Sequence, residues 1–247
     1  MSSSASEFSA SEFKSLDLHG VKVWLSGAVP EPDAGSLRRY SSDPSVETRA
    51  GSWAEEGILG FVRAFAGLLF RFGGQLIHGC HPSFTPILLE QARIHREKSR
   101  QPSPLFLAAS GYFASPENDA DWRRWNQIAH VKITEPSDPR DRDRSLQVLR
   151  EYMSNECNAF VAVGGKWWDQ VPGRAGVPNE LQLAKERKVP CYVLGGFGGI
   201  SSRFKDEQPT WYAGLNNNLS AEDNQLLASL SDITLAAGII VGRLSKG

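Results

Sequence analysis

The sequence predicts an α/β fold: a doubly wound, mainly parallel sheet with helices on both faces. Segments of β-forming composition alternate with segments of helical spacing along most of the chain. Several of the strand segments are unbroken apolar runs, which is typical of strands buried on both faces. Glycine directly follows most of these runs. Together these observations indicate a parallel sheet covered by helices.

Six short segments are rich in aliphatic, β-branched or aromatic residues and are bounded by turn-forming residues, which predicts strands. In chain order they are residues 21–26, 75–78, 105–109, 131–134, 159–163 and 190–194. Helices are predicted where apolar residues recur at three- and four-residue spacing. They cover residues 54–72, 87–98, 145–155, 179–187 and 220–230, and residues 233–244 form a final apolar segment.

The segments between these elements are predicted to be loops. Residues 31–52 are polar and rich in Ser, Pro, Asp and Arg, which indicates a long loop. The stretch 115–124 is polar. Residues 122–125 and the charged loop 135–144 are expected to be insertions on one domain. Residues 1–17 contain two Ser-Glu-Phe units and are predicted to be a flexible arm. The expected domain therefore covers residues 18–247.

Charge and composition exclude several classes of partner. The formal net charge of -1 gives no whole-chain attraction to nucleic acid or to an anionic membrane. No apolar run reaches the roughly 18 residues of a membrane span, and the N-terminus lacks the features of a secretory signal. The three cysteines are widely spaced, without metal-ligand spacing, which favours a reducing compartment. We expect a cytoplasmic protein with no metal, cofactor, nucleic-acid or membrane partner.

Small residues follow four of the predicted strands at the edge where open parallel sheets bind ligands. The candidate ligand-binding residues at this edge are Ser26, Gly27, Ala28, Gly79, His81, Gly164, Gly165, Gly195 and Gly196. Glycine lets a backbone approach a ligand closely, and a following helix N-terminus offers unpaired N–H groups to a phosphate. Tight turns between strand and helix would also use glycine, and a lone histidine is often structural, so these alternatives stay open.

Charged and aromatic residues near the glycines complete the candidate site. Glu180, near the start of a helix, is either a helix-start carboxylate, a ribose contact, or a group that stabilises a developing cation at a ribosyl C1′. Arg38 and Arg39 lie in the long loop and would suit a lid over a phosphate. Lys166 follows the glycine pair. Trp167 and Trp168, which come next, either stack on a base or pack their loop against the body.

Three common site motifs are absent from the sequence. There is no Gly-x-x-x-x-Gly-Lys-Ser/Thr phosphate loop and no Gly-x-Gly-x-x-Gly fingerprint after the first strand. There is also no Gly-x-Ser-x-Gly nucleophile elbow. The sequence therefore gives no support to an ATPase of the phosphate-loop type, an ordinary dehydrogenase or a serine hydrolase.

Three segments resemble the SLOG superfamily: Val-Trp-Leu-Ser-Gly at 23–27, Gly-Cys-His-Pro-Ser at 79–83, and the block 160–199. This superfamily includes the Lonely Guy phosphoribohydrolases, the nucleotide-sensing domain of the Thoeris antiviral system and the ADP-ribose-binding region of some TRPM channels. The resemblance implies a Rossmann-like fold and a nucleotide or ADP-ribose-like ligand. It also implies that Gly164, Gly165 and Glu180 belong to the site.

The sequence departs from the enzyme branch of this superfamily. Lonely Guy enzymes carry a compact Pro-Gly-Gly-x-Gly-Thr-x-x-Glu segment with a nearby arginine, whereas here residues 166–178 separate the glycine pair from Glu180. This difference favours a receptor for a NAD-derived signal such as cyclic ADP-ribose, in bacterial antiviral defence, acting through a homo-oligomer or a separate effector protein. The alternative is an N-ribosyl hydrolase or transferase that uses Glu180.

Overall fold

The computed structural model describes residues 16–30, 44–113, 119–135, 141–166, 176–204, 212 and 214–246, with the backbone alone at 44–54 and 119. The predicted arm, apart from its last residues, and Arg38, Arg39, Trp167 and Trp168 lie outside these residues. None of the helices described is long and apolar enough to span a membrane.

Six parallel strands form one sheet. They are β1 (Lys22–Ala28), β2 (Gln75–His78), β3 (Leu105–Ser110), β4 (His130–Thr134), β5 (Ala159–Gly164) and β6 (Cys191–Leu194). Their order across the sheet is β4-β3-β2-β1-β5-β6, and every pairing is parallel. The chain builds outward from β1 to one side and then returns to add β5 and β6 on the other side. The junction of β1 and β5 is therefore the switch point, beyond which open sheets leave a crevice.

Within the described residues, seven α-helices connect and cover the strands. They are α1 (Pro44–Arg71), α2 (Thr85–Ser99), α3 (Asp119–Asn126), α4 (Arg142–Glu156), α5 (Gly176–Glu186), α6 (Ala221–Ser229) and α7 (Ile233–Leu244). The doubly wound α/β prediction is confirmed. The six predicted strands and five predicted helices are all present, and the final apolar segment is α7.

Two sequence predictions about loops are wrong. Helix α1 begins at Pro44, so residues 44–52 of the predicted long loop are helical; proline fixes a backbone angle suited to the first turn of a helix, despite the polar composition around it. The stretch 115–124, for which only polar composition was noted, contains the start of α3. An ion pair of 2.7 Å between Arg124 and Asp121 supports this helix at i,i+3 spacing. The charged loop also ends early, because the Asp141 carboxylate accepts the Arg144 N–H at 2.9 Å and caps α4.

Alternate residues of the central strands face two separate cores, as the period of a strand requires. Val23 and Leu25 face the larger core, which α1, α2 and α7 cover. Trp24 faces the smaller core beneath α4 and α5, where its ring packs edge-on against Phe160 with 5.1 Å between centroids. Ser26, next on the same side as Trp24, is 2% exposed. The side chains at the end of β1 therefore meet α4 and α5.

The cysteines behave as the sequence predicts. All three are free thiols, and Cys157 and Cys191 are buried. Burial raises the pKa of Cys191 to about 12 and that of Cys157 to about 11. The thiols are therefore protonated at neutral pH and serve as small core side chains rather than as nucleophiles.

Candidate functional site

A cavity of about 540 Å³ opens at the carboxyl edge of the sheet, beside the β1–β5 switch. Its floor is made of strand ends, including Ser26 of β1, His78 of β2 and Ser110 of β3. Its walls come from α3, α4 and α5. Small-molecule sites in proteins commonly enclose about 300–1,000 Å³, so the cavity is large enough for a small molecule.

Glycines allow the carboxyl ends of β1 and β5 to approach each other closely. Gly27 has a φ of +152°, and a Cβ there would lie 2.0 Å from the Val163 carbonyl oxygen of β5. Gly164 has a φ of +65°, and its Cβ would lie 2.5 Å from the Ala28 carbonyl oxygen. That same oxygen accepts the Gly165 N–H at 2.7 Å. The Gly165 N–H therefore joins the ends of β1 and β5. Glycine is required at positions 27 and 164, because a side chain at either position would separate the two strands.

Three polar side chains meet beside this junction. The Ser26 hydroxyl donates to Oε2 of Glu180 at 2.5 Å. Nε of Arg150 lies 3.6 Å from Oε1 of the same carboxylate. The Arg150 and Glu180 side chains are 13% and 18% exposed, so water screens the pair only partly. We refer to Ser26, Arg150 and Glu180 as the polar triad.

The helical repeat explains why α4 and α5 present these charges to the cavity. On α5, the buried residues Val177, Leu181 and Ala184 form the core stripe, and Glu180 lies next to it on the cavity side. On α4, Leu149 and Met153 are buried, and Arg150 lies between them in sequence. Residues three and four apart share a helix face, so each charge borders an apolar stripe and is held close to the core.

Arg150 is the main site residue that the sequence analysis missed. The sequence does contain a signal for Arg150. This cationic residue lies within the apolar series Leu146, Leu149 and Met153, whose members all line the cavity. An arginine at such a position is partly buried and needs an anion. Only the fold shows that the anion is Glu180, 30 residues later in the chain.

His78 organises the turn that follows β2. Its Nδ1 donates to the Leu25 carbonyl at 2.9 Å, and its Nε2 accepts the His81 N–H at 3.2 Å. These partners require a neutral ring with the proton on Nδ1. Burial lowers the pKa of His78 to about 4, which keeps the ring neutral at physiological pH. His78 thereby fixes the position of His81 in the cavity wall.

The end of the cavity nearest β3 and β4 is aromatic. Phe113 follows β3, and Trp122 and Trp125 lie on α3. The two indole rings pack edge to face, with 5.1 Å between centroids and 83° between planes. Among the described residues, the buried Nε1 of Trp122 has no hydrogen-bond partner. We call Phe113, Trp122 and Trp125 the aromatic end.

The structure brings most of the predicted site residues to one cavity. Those in its wall are Ser26, Gly27, Ala28, Gly79, His81, Gly165, Lys166 and Glu180. Gly164 lies one residue from the wall and is buried beneath it. Whether any of these residues contacts a ligand stays a prediction. Arg38 and Arg39 lie outside the described residues, so a lid role for them is likewise untested.

Gly195 and Gly196 have a different environment. A Cβ on Gly195 would lie 2.2 Å from the Ala228 carbonyl oxygen, and one on Gly196 would lie 2.1 Å from that of Leu230. These glycines therefore let the chain after β6 pass close to the end of α6. They are outside the cavity wall as described, and the structure gives a packing reason for both.

The charges in the cavity wall are mixed, with a cationic excess. Arg142, Arg150 and Lys166 are cationic, and Asp121 and Glu180 are anionic. Within the described ranges, no cluster of three His, Cys, Asp or Glu residues is arranged to hold a metal ion. The described wall thus presents charged groups of both signs.

Comparison with protein families identifies one match. The model of the family described as SLOG cluster2 matches residues 107–232, which are 126 of the 247 residues. The matched segment runs from β3 through α6 and contains Arg150, Glu180 and both tryptophans of the aromatic end. No curated protein matches the sequence.

Proposed function

The chain belongs to the SLOG cluster2 family, and we propose that it binds a nucleotide-type ligand, NAD-derived or ADP-ribose-like, in the cavity beside the β1–β5 switch. Membership itself suggests a nucleotide-related Rossmann-like domain. The observation that carries the finer proposal is the polar triad, a mostly buried carboxylate beside a serine and an arginine in a cavity large enough for a nucleotide.

The triad has the hydrogen-bonding capacity that a ribose requires. The Glu180 carboxylate has about four lone-pair positions, and Ser26 and Arg150 are the partners that we identify for it. Two ribose hydroxyls can donate to the positions that remain. Binding in this geometry costs little reorganisation, because Ser26 and Arg150 already hold the carboxylate in place.

The phosphate groups of the ligand would lie toward α5. Gly176 and Val177, the first residues of this helix, line the cavity. The first N–H groups of a helix have no partner within the helix and favour anions. Lys166 and Arg150 add positive charge on the same side. We therefore assign the phosphate to the α5 side of the polar triad.

Calorimetric titration tests this proposal. The probes are ADP-ribose, cyclic ADP-ribose, NAD and AMP. We expect at least one to bind wild-type protein, and Glu180→Gln to weaken it roughly 10- to 100-fold, because hydrogen bonds to charged groups contribute about 1.5–3 kcal/mol. Glu186→Gln, the same change on the exposed end of α5, is the matched control. Absence of binding by all four probes, or equal effects of the two variants, would contradict the proposal.

A sensing role adds a second step, in which binding changes the assembly of the protein or its contact with an effector. A ligand shifts such an equilibrium only if it binds one state more tightly. We propose that the protein is a signal receptor of this kind in antiviral defence, and that it forms a homo-oligomer. Light scattering with and without the tightest-binding probe measures the mass; an unchanged mass would count against a change of homo-oligomer.

The polar triad also favours a second candidate function, an N-ribosyl hydrolase or transferase. A carboxylate beside a ribose can stabilise the oxocarbenium-like transition state of glycosidic cleavage. The test is chromatography after incubation with NAD or a nucleoside monophosphate. Release of free base by wild-type protein, lost in Glu180→Gln, would support the enzyme; tight binding without turnover would support the receptor.

A further inference from the structure

The aromatic end lies across the cavity from the polar triad. Phe113 follows β3 directly, and α3 connects β3 to β4. Neighbouring strands lie about 4.8 Å apart, so with β2 between them, β3 is roughly 10 Å from β1 and roughly 15 Å from β5. A ligand that reaches from the triad to the aromatic end is longer than a ribose and comparable with a nucleotide.

The charged groups at this end are already paired. Asp121 accepts from Arg124 at 2.7 Å, and Arg142 donates to Asp143 at 3.3 Å. The Arg142 guanidinium also lies 6.0 Å from the centre of the Phe113 ring. A phosphate would therefore compete with existing ion pairs here, whereas an uncharged planar ring would not.

The walls of the aromatic end suit a flat apolar group. Leu146, Leu149 and Met153 of α4 line the cavity together with the aromatic side chains. Phe113 is 46% exposed, a high value for a large apolar side chain. Aromatic rings that border a cavity bind planar bases by stacking, and every base has a suitable face.

Trp122 is held in position by its neighbour. Trp125 packs against the larger core, and its edge-to-face contact with Trp122 restrains the second indole. The Trp122 Nε1–H is buried without an acceptor, and such a donor costs free energy until it is satisfied.

We propose that the aromatic end is the base subsite, with the base against Trp122 and Phe113 and the ribose and phosphate toward Glu180 and α5. The ligand class is therefore a nucleotide that retains its heterocyclic base, rather than a sugar phosphate. This inference rests on the proposed nucleotide function and adds the direction in which the ligand lies.

The test compares ligands with and without a base in calorimetric titrations of the full chain. ADP-ribose and AMP carry a base, and ribose 5-phosphate lacks one and is measured by competition if it binds weakly. Trp122→Ala is expected to weaken ADP-ribose and AMP roughly 10- to 100-fold and to change ribose 5-phosphate less than about 2-fold. Trp122→Phe keeps a stacking ring and is expected to lose less.

Two further variants make the comparison specific. His130→Ala removes an exposed ring that stacks on Phe106 at the opposite, amino end of the strands, and it is expected to leave all three ligands unchanged. Glu180→Gln is expected to weaken base-bearing and base-free ligands alike. Thermal melting of each variant checks that it is folded. If Trp122→Ala does not fold, Trp122→Phe is measured in its place.

The possible outcomes separate this inference from the proposed function. Binding of AMP and ADP-ribose that is unaffected by either substitution of Trp122, or an equal loss for ribose 5-phosphate, overturns the base subsite and leaves nucleotide binding standing. Failure of every probe to bind wild-type protein overturns the proposed function and the inference with it. Selective loss of the base-bearing ligands supports the assignment.

Discussion

The polar triad and the aromatic end line the same cavity but are built on different principles. At the triad, backbone geometry fixes the site: Gly27 and Gly164 allow β1 and β5 to approach, and Ser26 and Glu180 meet at 2.5 Å as a result. At the aromatic end, side-chain packing on the two-turn helix α3 fixes the positions of the rings. Substituting the glycines at the triad is therefore expected to unfold the protein, whereas substituting the aromatic side chains is expected to lower ligand affinity alone.

The largest expected effect is at the backbone-determined end. Gly27→Ala places a Cβ 2.0 Å from the Val163 carbonyl oxygen, so β1 must separate from β5. We expect a loss of about 3 kcal/mol or more in the free energy of unfolding, measured by urea denaturation. Gly20→Ala is the control, because Gly20 also has a positive φ but its Cβ would meet nothing within 4 Å. Its cost should be about 1 kcal/mol. Similar losses in both variants would show that strand contact is not the cause.

Protonation of His78 at acidic pH is expected to lower the free energy of unfolding. Burial lowers its pKa from 6.5 to about 4. The unfolded chain therefore binds this proton first, and stability that is complete above pH 6.5 is lost as the pH falls toward 4. The loss attributable to His78 is about 3 kcal/mol. Urea denaturation at several pH values, for wild type and His78→Asn, isolates this contribution. Parallel declines in the free energy of unfolding of wild type and His78→Asn would exclude His78 as the source of the loss.

Coupling between Arg150 and Glu180 should exceed that of an exposed ion pair. A double-mutant cycle with Arg150→Met and Glu180→Gln is expected to give about 1–2 kcal/mol, because the pair is mostly buried. The reference pair is Arg93 and Glu97, at 2.6 Å with side chains 54% and 60% exposed. Its coupling should be about 0.5 kcal/mol or less. Equal coupling energies for the two ion pairs would mean that the cavity does not shield the triad from water.

The smallest expected effect on stability is at the aromatic end. Trp122→Phe should change the free energy of unfolding by about 1 kcal/mol or less, since the indole N–H forms no hydrogen bond and α3 is anchored through Trp125. Thermal and urea denaturation measure this. A loss comparable with that of Gly27→Ala would give Trp122 a structural role and remove the contrast between the two ends.

The sequence was informative where local chemistry determines structure. Short segments rich in β-forming residues predicted every strand to within two residues at each end. The start of α1 and the whole of α3 were missed, because a polar or proline-containing composition is compatible with both loop and helix. In α3, the ion pair between Arg124 and Asp121 and the contact between Trp122 and Trp125 support the helix.

The site was predicted from the strand ends but not from the helix faces. Ser26, Gly165 and Glu180, which line the cavity, were predicted because strand ends and helix starts mark ligand sites in parallel sheets. Arg150 was missed because its partner is distant in sequence, and Trp122 because no local pattern shows which end of a sheet a short helix will cover. Pairing across the chain comes only from the fold.

The most direct test of the account is a crystal structure of the protein with ADP-ribose or AMP. The account predicts a ligand in the cavity beside the β1–β5 switch, with ribose hydroxyls within hydrogen-bonding distance of Glu180, phosphate near the start of α5 and the base against Trp122. A reversed ligand would contradict the base subsite alone. A ligand bound elsewhere on the protein, with the cavity empty, would contradict the central claim.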